Sequence, residues 1–230
     1  MMQVVILAGG LGTRLRPLTE KVPKPMVLIK GKPFLEYQLE MLKKHGFYDV
    51  VLCTGYLGEK IEEYFGNGEN MGMHIKYSKE HEPLGTGGAL QNAKKLLENE
   101  FVLAYGDTFL PMDYKRLVAD FNKSKKLAMT VAFNNNPKIV LNNMEVSEVG
   151  EVLKYDKKNE GLANYVEAGV HVLKKDVLTH VPENSVFSLE EELLPILIEK
   201  KELHAHVTDK RFYDIGTFDR LKIFNQVLLS

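Results

Sequence analysis

The order of apolar and polar positions divides the first half of the chain into alternating strands and helices. Val4-Val5-Ile6-Leu7 is a short, largely β-branched apolar run ending in glycines, the pattern of a strand buried on both faces. Residues 34–45 read as a helix: Leu35, Leu39 and Leu42 share one face, and Gly46 stands where a helix C-terminus favours glycine. Val50-Val51-Leu52-Cys53 is the second strand, followed by a short helix over 59–64. A strand over 74–77, a helix over 89–97 and a strand over 101–104 complete the series, the last stopped by Gly106-Asp107. Such alternation predicts a doubly wound, mostly parallel sheet between helical layers, an α/β/α sandwich with right-handed crossovers. Ligands bind such sheets at the carboxyl ends of the strands, so the loops after Ala8 and after Tyr105 should face one site.

The second half is less regular. Residues 128–133 predict another strand, residues 146–155 a hairpin turning at Glu148-Val149-Gly150, and residues 165–173 a long strand. Ser188 and Glu191 have capping-box spacing, so a helix should start at Leu189 and kink at Pro195. The segment from about 134 to 169 reads as a small β insertion in the sheet, not as an independent domain. Asn134-Asn135-Asn136 and the run 123–126 read as solvated turns, and no internal repeat is visible.

Composition narrows the class. The chain has 230 residues, 44% hydrophobic and 27% charged, with a formal net charge of -1. This mixture excludes a disordered, collagen-like or coiled-coil chain, and the even charge balance argues against a nucleic-acid partner. No apolar run approaches the roughly 20 residues needed to span a bilayer, so no membrane partner is expected. The apolar start is too short for a signal peptide, and a single cysteine, Cys53, cannot form an internal disulfide. A cytoplasmic protein is the expectation.

The loop after the first strand reads Gly9-Gly10-Leu11-Gly12-Thr13-Arg14-Leu15-Arg16-Pro17. Glycines there let backbone N–H groups approach a phosphate closely. The P-loop pattern fails, because no lysine followed by Ser or Thr succeeds the last glycine. The dinucleotide fingerprint fails too: Leu15 stands where its third glycine belongs, and the acidic ribose ligand is missing. What remains is a loop with a fixed cation, Arg14, and a second cation, Lys24, whose backbone is stiffened by Pro23 and Pro25. The seven histidines are scattered without metal-ligand spacing, and His171 reads as a packed or hydrogen-bonded strand residue.

Gly9 to Thr19 followed by Pro23-Lys24-Pro25 resembles the signature of the sugar-1-phosphate nucleotidylyltransferases. Three further segments match that family in its order: 82–88, Gly106-Asp107 and 212–217, so the resemblance spans nearly the whole chain. It implies a Rossmann-like nucleotide-diphospho-sugar transferase fold in one domain, with about 1–133 binding nucleotide and about 134–230 binding sugar phosphate. It also implies transfer of a nucleotidyl group from a nucleoside triphosphate to a sugar 1-phosphate, with release of pyrophosphate. By the same resemblance, Leu7, Ala8, Gly9, Gly10, Gly12, Thr13, Arg14, Lys24, Glu80, Gly85 and Thr86 bind the nucleotide. Arg14, Lys24 and Asp107 serve catalysis, with Arg14 on the pyrophosphate and Lys24 on the α-phosphate; Asp107 and Asp214 hold Mg²⁺. Asp156, Lys157, Glu167 and Gly169 belong to the sugar phosphate, with Lys158 a competitor for the role of Lys157. The family more often has Glu where Asp156 stands.

Glu80 bears on the base. A carboxylate only accepts hydrogen bonds, and guanine offers N1–H and an amino group side by side, so GTP is favoured. Residues 106–110, 155–157 and 187–195 look like the branch acting on D-glycero-D-manno-heptose 1-phosphate. The alternatives are a mannose-1-phosphate guanylyltransferase, a uridylyl or thymidylyl enzyme acting on a hexose or muramic acid phosphate, and a catalytically silent nucleotide-sugar-binding regulator. The resemblance also suggests a homodimer. The short stretch after Asp214 suggests a bare catalytic domain.

Overall fold

A computed structural model describes residues 2–136, 138–156 and 164–229. Seven strands form its central sheet: β1 (Gln3–Leu7), β2 (Asp49–Thr54), β3 (His74–Lys79), β4 (Glu100–Tyr105), β5 (Ala128–Phe133), β6 (Val166–Lys174) and β7 (Leu203–Thr208). Their spatial order is β7-β5-β6-β4-β1-β2-β3. β1 pairs in parallel with β2 and β4, β2 with β3, and β5 with β7; β6 runs antiparallel to β4 and β5. The mostly parallel sheet expected from the alternation is therefore present, with one reversed strand.

Alternate residues of the buried strands feed two cores. Val4, Ile6, Val50, Leu52, Val102 and Ala104 face one layer, which includes α1 (Phe34–Lys44), α2 (Gly58–Phe65) and α4 (Tyr114–Ser124). Val5, Val51, Cys53 and Leu103 face the other, with α3 (Gly85–Ala93) and α5 (Leu194–Glu199). A third cluster of Leu15, Val27, Ile29, Phe34, Ile215 and Phe224 joins the glycine loop to α6 (Phe218–Val227), whose Phe224 ring meets Phe34 edge-on at 5.0 Å. Among the described residues no helix is long and apolar enough to cross a membrane.

Several elements differ from expectation. α4 follows an N-cap, Asp113, whose carboxylate accepts from the N–H groups of Lys115 and Arg116. Its buried face has few apolar residues, Leu117 and Phe121 beside Tyr114, so the lysines at its end read as a turn. β7 alternates histidines with small and apolar residues, which weakens its period-two signal. α3 begins at Gly85 rather than at 89, so the glycines are helical instead of a preceding loop. Asn135 is not solvated: it is 3% exposed, donating to Val140 O at 2.6 Å and accepting from Ile139 N at 2.9 Å. The expected hairpin is found as Met144–Val146 paired with Val152–Tyr155, packed on the second core through Met144, Val146 and Val152. Ser188 does cap Glu191 N, but Glu192 makes the reciprocal bond to Ser188 N. The wider π-helical winding of Leu189–Leu193 moves that partner one residue on, and Pro195 lies in the first turn of α5 behind it.

Candidate active site

The carboxyl ends of β1 and β4 open into a cleft of about 510 Å³. Its wall contains twelve of the residues the resemblance named: Leu7, Ala8, Gly9, Gly10, Gly12, Thr13, Arg14, Lys24, Glu80, Gly85, Thr86 and Asp107. The two strand ends are tied together, since Gly106 N donates to Leu7 O at 2.8 Å. Asp107, the next residue, thus starts from a fixed backbone.

Lys24 begins a single 3₁₀ turn between buried Pro23 and Pro25, and its side chain is 11% exposed. Its ammonium Nζ donates to Asp107 Oδ2. Asp214 comes to the same place by strand pairing: Tyr213 and Asp214 lie opposite Phe109 and Thr108, and Ile215 N donates to Asp107 O at 3.0 Å. The Asp214 carboxylate accepts from Gly216 N at 2.9 Å and from Arg220 Nη1 at 2.9 and 3.0 Å. Arg14 lies against the adjoining glycine, where a Cβ built on Gly216 would stand 3.4 Å from its Nη2. Arg14, Lys24 and Asp107 thus line one end of the cleft, while Asp214 and its partner Arg220 stand next to the lining residue Gly216 without lining the cleft themselves.

Among the described residues no group of three or more His, Cys, Asp or Glu could hold a metal by itself. The oxygen donors of Asp107 and Asp214 do suit a hard divalent cation that takes its other ligands from phosphates and water.

At the other end, Glu80 is half-buried beside the glycine loop, with Oε2 accepting from Leu84 N at 3.0 Å. Burial raises its pKa, and the Leu84 N–H opposes that shift. A Cβ on Gly9 would stand 2.7 Å from Glu80 Oε1 and 3.3 Å from Gly55 N, so a side chain there would displace the end of the Glu80 side chain and crowd the Gly55 backbone.

Asp156, Glu167 and Gly169 do not line this cleft, although they lie beside it. Asn143 joins two of them, its carbonyl oxygen accepting from Asp156 N and its side-chain oxygen from Glu167 N, both at 2.8 Å. Gly169 sits at φ +74° where the β6–β5 register shifts, and a Cβ there would meet Thr108 Cγ2 at 3.0 Å. Its N–H donates to Glu167 Oε1, which also lies 3.4 Å from His171 Nε2. Lys157 and Lys158 lie outside the described residues.

His171 is fully buried in β6, as a packed strand residue should be, with Nδ1 unpartnered among the described residues. Burial outweighs the attraction of Glu190 and lowers its pKa from 6.5 to about 4. The unfolded chain thus binds a proton in a pH window where the folded chain does not, so stability should fall as pH drops through it. We expect His171→Leu to shrink the loss of Tm between pH of about 7 and about 5, as read by calorimetry. An undiminished loss would place the acid sensitivity elsewhere.

Three contributors were not anticipated from sequence. Arg220 holds Asp214 from the first turn of a helix that was not expected. Tyr105 and Glu190 line the cleft, and the capping pattern around Ser188 gave Glu190 no separate role.

Residues 3–229 match the nucleotidyl transferase family. The D-glycero-alpha-D-manno-heptose 1-phosphate guanylyltransferase of Campylobacter jejuni is 38% identical, over 94% of this chain and 95% of that one. A mannose-1-phosphate guanylyltransferase of Mycobacterium tuberculosis is 32% identical, over 93% of this chain and 60% of its own length. The crystal structure of HddC from Yersinia pseudotuberculosis complexed with GMP-PN superposes with a TM-score of 0.83 at 29% identity, covering 99% of this chain and all of that one. With a family match reaching almost from end to end and the family's motifs gathered around one cleft, the chain belongs to the nucleotidyl transferase family.

Proposed function

We propose that the protein transfers a guanylyl group from GTP to D-glycero-D-manno-heptose 1-phosphate, releasing pyrophosphate. The observation that carries this reading is the Lys24–Asp107 pair in the cleft wall beside a loop with Arg14, with Asp214 brought alongside by its strand pairing with Thr108. In the reaction an oxygen of the sugar phosphate forms a bond to the α-phosphorus, the bond from that phosphorus to the β-phosphate oxygen breaks, and pyrophosphate leaves with the electron pair. No general base is required, because a phosphomonoester with a second pKa near about 6 is already largely ionised at neutral pH. The protein has to bring two polyanions together and stabilise charge on the α-phosphoryl group, which makes positioning and electrostatics dominant.

Lys24 is assigned to the α-phosphate and the incoming phosphate, and Arg14 to the departing pyrophosphate. Leu7, Ala8, Gly9, Gly10, Gly12 and Thr13 form the wall that admits the triphosphate, while Gly85 and Thr86 bound the nucleoside side. Asp107 and Asp214 would hold Mg²⁺, whose charge would help neutralise the phosphates. Asp156, Glu167 and Gly169 would bound the sugar side, Glu167 accepting hydrogen bonds from sugar hydroxyls, with a lysine at 157 or 158 reaching its phosphate. The nucleotide half and the sugar half would then form one catalytic domain.

Glu80 supports guanine, since its two oxygens match the N1–H and amino donors. Glu80→Gln should lower kcat/KM for GTP by about 10- to 100-fold and narrow the margin over UTP and dTTP. Initial rates with each triphosphate check this, and an unaltered preference would remove Glu80 from base recognition. The mannose enzyme at 32% identity favours a second reading, a mannose-1-phosphate guanylyltransferase. The two sugars share ring stereochemistry, and one extra carbon is worth only about 1–3 kcal/mol, so some turnover of both is expected. A silent regulator is disfavoured because Arg14, Lys24, Asp107 and Asp214 are all present.

The test is a matrix of GTP, ATP, CTP, UTP and dTTP against the 1-phosphates of heptose, mannose, glucose and N-acetylglucosamine. GTP with the heptose compound should give the highest kcat/KM. A uridylyl or thymidylyl preference would overturn the guanine assignment.

A further inference from the structure

Glu190 lines the cleft beside Thr86 and Tyr105, yet none of the roles assigned above uses it. Its carboxylate accepts from Thr86 Oγ at 2.7 Å and from Ser188 Oγ at 3.0 Å, and the Tyr105 hydroxyl beside it favours its charged form. Burial works to raise its pKa, but the Tyr105 and Thr86 hydroxyls, its own backbone N–H and the Ser188 hydroxyl together outweigh burial and hold the carboxyl below its ordinary value. An ionised carboxylate is thus kept in the wall of a site for polyanions, where it would repel a phosphate and can only accept hydrogen bonds.

Its backbone is equally fixed. Gly87 N and Gly88 N donate to Phe187 O at 2.8 and 3.1 Å, Phe187 N donates to Leu84 O at 2.9 Å, and Leu189 N donates to Thr86 Oγ at 2.8 Å. A Cβ on Gly85 would lie 2.7 Å from Phe187 O, and one on Gly88 would lie 2.5 Å from Ser185 O. These glycines are therefore required by the docking of the segment that carries Glu190. That segment is π-helical, a winding that recurs at functional sites.

Glu190 also connects to the sugar side. The Tyr105 hydroxyl lies 3.5 Å from His171 Nε2, which in turn lies 3.4 Å from Glu167 Oε1. Tyr105 and Tyr155 both feel the negative charges of Glu167 and Glu190. The half-buried base candidate, Glu80, has no part in this network; its oxygen takes Leu84 N instead.

We propose that Glu190 accepts hydrogen bonds from hydroxyls of the sugar 1-phosphate and, together with Glu167, sets which sugar is used. This assignment rests on the sugar-1-phosphate reading of the cleft. Hydroxyl donors could come from either of two sources, the sugar or the ribose of the nucleotide, and the connection to Glu167 and Tyr155 selects the sugar.

The experiment measures KM for GTP and for the sugar 1-phosphate separately in wild type, Glu190→Gln and Ser188→Ala, with melting curves for each. Glutamine keeps the shape of Glu190 while removing its charge; Ser188→Ala keeps the carboxylate and removes one of its donors. We expect Glu190→Gln to raise the sugar KM about 10-fold or more and to change the ratio of heptose to mannose turnover, with the KM for GTP within about twofold of wild type. Ser188→Ala should change the sugar KM much less. A rise confined to the GTP KM would assign the carboxylate to ribose and overturn the proposal. An equal rise in both with a lowered Tm would make Glu190 a structural latch and also overturn it. Unchanged constants in Glu190→Gln, with active wild type, overturn this assignment alone. Wild type that turns over no sugar 1-phosphate overturns the proposed function, and this assignment with it.

Discussion

Replacing Lys24 with alanine should lower kcat by about 10²- to 10³-fold while leaving the protein folded. The ammonium group is the cation most firmly built into the cleft, with its backbone set by Pro23 and Pro25 and its head against Asp107. It therefore needs little reorganisation when charge develops on an α-phosphoryl group, the condition under which electrostatic stabilisation is most effective. The fold should tolerate the change because Asp107 is 31% exposed and water can replace the lost partner. Lys24→Arg should recover little, since a planar guanidinium does not place its charge where a compact ammonium does. Pyrophosphate release measured beside a thermal melt checks both statements. Near-normal turnover in a folded Lys24→Ala protein would remove this residue from catalysis.

Asp107→Asn should give a loss of similar size, about 10²- to 10³-fold in kcat, with a shifted dependence on divalent cation. The amide keeps the shape of the side chain but loses the charge that would face both the metal and Lys24. Strand pairing should persist, because the bond from Ile215 uses the backbone carbonyl of Asp107, not its side chain. A titration of rate against Mg²⁺ separates the two functions of the carboxylate. If metal ligation dominates, more Mg²⁺ should restore part of the rate. If the rate and its metal dependence both match wild type, Asp107 is not a ligand.

Much of this architecture is legible in the chain because parallel strands buried on both faces leave continuous apolar runs. β1, β2 and β4 are such runs, and the glycine turns that end β1 and β4 mark the site. β7 was hidden by its histidines, although Leu203 and Ala205 are buried in the second core. α4 and α6 carry few buried residues, and the aromatic contacts that hold Phe224 come from distant segments. The cleft is recognisable through contiguous motifs, so Gly9, Gly10, Gly12, Thr13 and Arg14 of one loop are named from sequence and line it, whereas Leu11 of the same loop lines it without having been named. Glu190 was not, because its partner Thr86 lies 104 residues away and local spacing explained its neighbours as a helix cap. Of the glycines in 85–88 only Gly85 is expected at the nucleotide, and what demands the lack of a Cβ at Gly85 and Gly88 is the chain of residues 185–187.

Transfer of the α-phosphoryl group is tested most directly with GTP radiolabelled at the α-phosphorus, incubated with heptose 1-phosphate and Mg²⁺. We expect the label to appear in GDP-heptose, with one unlabelled pyrophosphate released for each molecule formed and with both products strongly reduced in Lys24→Ala. Label recovered only as GMP or unreacted GTP, or product formed equally well by Lys24→Ala, would contradict a nucleotidyl transfer centred on Lys24, Asp107 and Asp214.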